Sequence, residues 1–190
     1  MVELLLGSAI GAVVAALSLR LSTVLKLRRY RRADITSTDN QLRFIEDAAL
    51  QPAVPINREA FKVFRTIESD LPNRGTRYRL LAEVAMGAFI KTSRHHGTAA
   101  ERKRAYSTYG SKRVDFLIID PFGRPALVVE YHGSGHHQAN ASARDAVKKR
   151  ALQKAGVELL EVYPHSDPHQ YLQVLAHLLD RHESRLHRAH

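Results

Sequence analysis

The chain has 190 residues and a formal net charge of +10, from 29 lysines and arginines against 19 aspartates and glutamates. It contains no cysteine, which excludes a disulfide scaffold, a cysteine-ligated zinc centre and a cysteine nucleophile. Hydrophobic residues make up 44% and charged residues 25%, globular proportions that exclude wholesale disorder, and the basic excess points to an acidic partner, either nucleic acid or an anionic membrane surface.

Residues 4–19 carry no charge and are mostly Leu, Ala, Val, Ile and Gly. A bilayer span takes about 20 apolar residues, and here Arg20 can snorkel while residues 21–25 lengthen the run. The positive charges Arg20, Lys26, Arg28, Arg29, Arg31 and Arg32 follow the run, the reverse of a secretory signal peptide. Residues 1–32 are therefore expected to be one transmembrane helix with a basic flank, which places the bulk of the chain in the cytoplasm by the positive-inside rule. Gly7 and Gly11 form a GxxxG through which two such helices could pack as a homodimer, although small residues are common in spans for other reasons.

Residues 33–56 are polar, contain Pro52 and Pro55, and read as a linker or a loosely packed arm. The folded domain is expected over 57–185. Asn57 is a good cap for a helix over 58–70, with Ala60, Phe61, Phe64 and Ile67 at helical spacing, and the break at residues 71–75 contains Pro72 and Gly75. Residues 78–85 read as a strand, 87–91 as a short helical turn, and 95–109 as a basic, mobile loop. The β-branched runs 114–119 and 126–131, separated by a stretch with Pro121, Gly123 and Pro125, read as a hairpin. A helix over 141–155 ending at Gly156, a strand over 157–163 and a final helix opened by Asp167 and Pro168 complete the domain. The order is α-β-β-β-α-β-α, a mixed α/β domain.

A turn centred between Phe122 and Gly123 sets Asp115 directly opposite Glu130, with Cβ atoms roughly 5 Å apart. By the strand period His132 falls on the same face as Glu130. Opposed carboxylates repel when alone and become favourable around a hard divalent cation. The plainer alternative pairs Asp115 with Arg113 or Lys112, and Glu130 with a lysine of the following helix. The exit after Tyr131 is rich in Gly and His, so His132 and His136 could ligate a metal or move a proton. His95, His96 and the histidines from His165 to His190 read as surface residues. The next helix carries Arg144, Asp145, Lys148 and Lys149. Its Asp145–Lys148 spacing supports a helix whatever the function, and its basic face could equally hold a phosphate.

An Asp opening one strand, a Glu closing the next, a basic group two residues on, a basic helix and a strand after Gly resemble the PD-(D/E)xK nuclease superfamily. The chain is still more similar to the bacterial domain-of-unknown-function 2726 family. The similarity is carried by Asn57-Arg58-Glu59, residues 111–116, residues 130–136, residues 144–148 and Ala155-Gly156-Val157. The resemblance implies a restriction-endonuclease-like fold, a mixed central sheet flanked by helices, in which Asp115 and Glu130, joined by Glu59, bind Mg²⁺ or Mn²⁺. Position 132 is His where the motif has lysine, and Lys148 or Lys149 from the helix could substitute.

The leading expectation is thus a nuclease of the bacterial inner membrane with a single span and a cytoplasmic domain. It would use Asp115, Glu130, His132 and Lys148 in catalysis, with Lys112, Arg113, His136, Arg144 and Lys149 on the nucleic acid, DNA ahead of RNA. The basic segment with Tyr106 and Tyr109 would hold the backbone. The alternatives are an inactive nuclease-like module that binds nucleic acid, supported by the missing lysine, and a membrane-surface interaction scaffold.

Overall fold

A computed structural model describes the backbone of residues 2–74, 77–133 and 139–188, and the side chains of these except residues 2–14, 16, 31, 32 and 139–142. The chain divides into two compact units, Met1–Ala53 and Val54–His190.

The first unit contains helices α1 (Val2–Ala33) and α2 (Thr38–Glu46). Among the described residues no helix is long and apolar enough to cross a membrane. The run expected to do so, residues 4–19, falls mostly on residues whose side chains lie outside the described set. Helix α2 lies within the residues read as a linker or a loosely packed arm. It buries no residue, so its local hydrogen bonds rather than core packing hold it.

The second unit is a four-stranded mixed sheet flanked by helices. Helix α3 (Arg58–Asp70) starts where the Asn57 side chain accepts the Ala60 N–H at 2.8 Å, the capping arrangement expected of that residue. It is followed by β1 (Arg79–Ala85), the single turn α4 (Met86–Phe89) and α5 (Ala99–Tyr109). Strands β2 (Arg113–Ile119) and β3 (Pro125–Tyr131) form the hairpin; α6 (Ala139–Ala155), β4 (Glu158–Val162) and α7 (Pro168–Arg188) complete the chain. The strand order is β1-β2-β3-β4; the first three are antiparallel, and β4 runs parallel to β3.

Helix α5 corrects the expectation of a loop over 95–109. Thr98 accepts the Glu101 N–H while Glu101 accepts the Thr98 N–H, a reciprocal capping box, and this pair satisfies the first-turn donors of a segment with few apolar residues.

In the hairpin, Phe116 faces Val129, Leu117 faces Val128 and Ile118 faces Leu127, and a register shift follows at Ile119. Asp120 organises the turn: its Oδ1 accepts the N–H groups of Phe122 and Arg124 at 2.9 and 2.8 Å. Its other oxygen lies 3.6 Å from Nε2 of His182 on α7. His182 is buried, which corrects its reading as a surface residue; helix α7 packs over the sheet and carries it inward.

The two faces of the sheet bury separate cores. Phe116, Ile118, Leu127, Val129 and Val162 pack with residues of α3 and α7. Leu117 and Val128 pack with Met86, Tyr109 and Leu152 from α4, α5 and α6. Phe116 is fully buried, so Phe116→Ala is expected to cost about 3–5 kcal/mol in urea unfolding. Thr98→Ala is expected to cost about 1 kcal/mol, with faster amide hydrogen exchange confined to α5.

Candidate functional site

The shared register of the hairpin, continued one residue past Phe116 and Val129, sets Asp115 opposite Glu130. The regular ladder ends there. The Tyr131 N–H donates to Oδ2 of Asp115 at 2.7 Å, so the Asp115 side chain occupies the opening between β2 and β3. On the other side of β3, Glu130 pairs in register with Glu161 of β4. Three neighbouring strands therefore present a carboxylate at one level.

Glu130 is buried. Its Oε2 accepts from Nζ of Lys148 at 2.7 Å, and that ammonium lies 3.7 Å from Asp145. The other oxygen, Oε1, is buried and has no hydrogen-bond partner among the described residues. Burial pushes the Glu130 carboxyl up to about 7; Lys148 opposes this, and the Asp115 and Asp145 charges add to it. The group is thus poised between its acid and its anion near neutrality.

Glu161 is held differently. His132 meets its Oε1 through Nε2 at 2.7 Å, and Lys149 Nζ lies 2.9 Å from the same oxygen. Burial would raise the Glu161 carboxyl, but the hydrogen bonds from Lys149 and His132 outweigh it and hold it below the ordinary value. The His132 ring stacks on Tyr163 with centroids 5.1 Å apart. A small pocket lined by Glu130, His132, Asp145, Lys148, Lys149 and Glu161 joins the two groups.

The structure brings together Asp115, Glu130, His132, Lys148 and Lys149 of the residues singled out in the sequence. The plainer pairing of Glu130 with a helix lysine is present, and the lysine is Lys148. Asp115 bonds the Tyr131 N–H, while Arg113, largely exposed, lies 3.9 Å from Glu83. Arg144 is exposed on α6, and Lys112 is half-buried before β2. His136 lies outside the described residues.

Glu59 approaches the end of β3 from the α3 side. Its Oε2 accepts the Tyr131 hydroxyl at 3.2 Å and would sit 3.2 Å from a Cβ placed on Gly133, so glycine at 133 leaves room for that carboxylate. Among the described residues no group of three or more His, Asp or Glu side chains is gathered closely enough to hold a metal ion.

Two acidic residues escaped the sequence reading. Glu161 stands between Leu160 and Val162, both directed to the α3–α7 core, and this strand alternation was its available signal. Glu83, aligned with Asp115 between the pairs Ala82–Phe116 and Val84–Val114, has φ 52°. A left-handed glutamate inside a strand is a strained position of the kind that clusters at functional sites, and no sequence pattern announced it.

The DUF2726 family model, described as a protein of unknown function, matches residues 56–181. The chain belongs to this family. It is 40% identical over 109 residues to an uncharacterized protein of Haemophilus influenzae, a match covering 57% of this chain and 53% of that protein. It is 36% identical over 107 residues to the uncharacterized protein y4bI of Sinorhizobium fredii, covering 56% and 72%. The match thus spans about half the length of the first relative and nearly three quarters of the second. No solved structure matches the chain significantly.

The raised Glu130 carboxyl has a thermodynamic consequence. Between about pH 4.5 and about 7 the folded chain retains a proton that the unfolded chain has released, so stability falls as pH rises through that window, by about 3 kcal/mol. Glu130→Gln is expected to abolish this fall, as read from urea unfolding midpoints at pH 5 and pH 8.

Proposed function

We propose that the chain is a divalent-metal-dependent nuclease of restriction-endonuclease-like fold that hydrolyses phosphodiester bonds in nucleic acid, DNA ahead of RNA. Residues 1–32 would tether it to the bacterial inner membrane, a reading supported by the uncharged run at 4–19 and the basic cluster that follows. The observation that carries the catalytic reading is Glu130 Oε1, buried and without a hydrogen-bond partner among the described residues, next to Asp115 in the hairpin register and beside an ammonium from α6. Two carboxylates suit Mg²⁺ or Mn²⁺, because hard ions of this kind complete their shell with water and phosphate oxygens. Held by Asp115 and Glu130, such an ion would supply Lewis-acid polarisation of a phosphate oxygen and activation of water.

The chain's own groups divide the remaining work. Lys148 keeps a positive charge at the rim of the carboxylates, where a phosphoryl group would develop negative charge in the transition state. His132, fixed through Nε2 by Glu161 and stacked on Tyr163, is oriented to carry a proton at the end of β3. The Tyr131 N–H keeps Asp115 in the opening between the strands.

A second reading is a nuclease-like module that binds nucleic acid without cutting it. It is favoured by histidine at the motif's lysine position and by the engagement of Lys148 with Glu130.

The test is cleavage of plasmid DNA and of RNA by the full chain with Mg²⁺ or Mn²⁺, with binding recorded in parallel. Asp115→Ala and Glu130→Ala are expected to abolish cleavage and to spare binding. Lys148→Ala is expected to slow cleavage roughly 10²–10³-fold. Activity at limiting metal is expected to rise with pH through about 7 as Glu130 loses its proton. Cleavage that survives in the Asp115→Ala chain would overturn the catalytic reading, and binding without cleavage in the wild type would favour the second.

A further inference from the structure

Helix α6 presents its basic residues to two different surroundings. Lys148 and Lys149 are paired with Glu130 and Glu161 of the sheet. Val147, Arg150, Ala151 and Lys154 follow helical spacing along another stripe and line a groove against α5 of about 1010 Å³. The floor of this groove is apolar, with Ile90, Tyr109, Val147 and Ala151 among its lining residues.

Its rim is cationic. Arg102, Arg150 and Lys154 line it and form no ion pair among the described residues. Arg102 and Arg150 give one N–H each to neutral oxygens, the Gly97 carbonyl and the Gln153 side chain, which leaves their charge uncompensated. Glu101 also lines the groove, but its carboxylate is turned back to Thr98 as the cap of α5.

We infer that the α5–α6 groove seats single-stranded nucleic acid, an inference that deepens the nucleic-acid reading above and rests on it. The occupant must be anionic along its edge and apolar across its body. A single strand meets both conditions, because its phosphates can follow a basic rim while unpaired bases cover apolar and aromatic surface. A duplex meets only the first, since its bases are stacked inside and its outer surface is sugar and phosphate. The groove also sets a substrate preference: helix α6 carries the groove on one stripe and Lys148 of the candidate site on the other, so a strand in the groove lies along the element that supplies the ammonium.

The test is fluorescence anisotropy with the full chain, a labelled oligothymidylate of about 20 nucleotides and a duplex of equal length, over a range of salt concentrations. The single strand is expected to bind more tightly than the duplex. The double variant Arg150→Gln/Lys154→Gln is expected to weaken single-strand binding at least tenfold. Its slope of log affinity against log salt should be shallower by about 1.4, two phosphates at about 0.7 each. The control Lys62→Gln/Arg65→Gln removes two exposed charges from α3 and is expected to leave that slope unchanged. Val147→Glu, at a partly exposed floor position, is expected to weaken the single strand more than the duplex.

Equal losses from the α6 and α3 pairs, or tighter binding of the duplex, would overturn the inference. Metal-dependent cleavage with no effect of the groove variants would overturn the groove alone. Groove-dependent binding of the single strand without cleavage would overturn the catalytic reading and leave the groove standing.

Discussion

Asp115, Glu130 and Glu161 stand at one level on three adjacent strands, and their mutual repulsion is the constraint around which this half of the domain is arranged. Each is answered by a different donor: the Tyr131 N–H, the Lys148 ammonium, and the pair His132 and Lys149. Two of these come from successive residues of α6, so the charge balance of the sheet and the docking of that helix are one event. Leu152, one turn further along α6, enters the apolar core beneath it. Burial supplies the attraction between helix and sheet, and the ion pairs set the helix's rotation, because a wrong rotation would leave buried carboxylates uncompensated.

The balance is incomplete at one atom. Oε1 of Glu130 is buried without a partner among the described residues, and burial raises the carboxyl to about 7. A stability-driven design would have placed an apolar residue there, since a buried acid contributes less to folding than a well-packed side chain of similar volume. Glu83 repeats the pattern, with a left-handed backbone inside a strand at the level of Asp115. Asp120 Oδ2 and His182 Nε2, at the turn end of the hairpin, are also buried without a hydrogen bond among the described residues, but the row at Asp115 combines such an atom with a left-handed glutamate in the neighbouring strand, which supports its choice as the candidate site.

The matched family segment, residues 56–181, contains α3, the whole sheet and α6. Every residue of the acidic row, its cationic partners and the α5–α6 groove lies inside it. The candidate site thus lies within the segment that the family model matches, whereas α1 and α2 precede it.

The sequence by itself determined the core strands, the helices that flank them and the level of Asp115 against Glu130. These follow from local rules: β-branched runs, an Asn cap, a Pro–Gly turn whose centre sets the register. It failed at α5, where the capping box of Thr98 and Glu101 outweighed a basic, polar composition, and it did not announce α2, a helix without a buried face. Tertiary structure alone decided that Lys148 rather than Lys149 meets Glu130, that Glu161 joins the row beside it, and that His182 is drawn inward to Asp120. The physical reason is range. Register and capping act over a few residues, but which charge answers a buried carboxylate depends on the rotation of a helix and the pairing of a parallel strand 31 residues away, and these exist only once the core has closed.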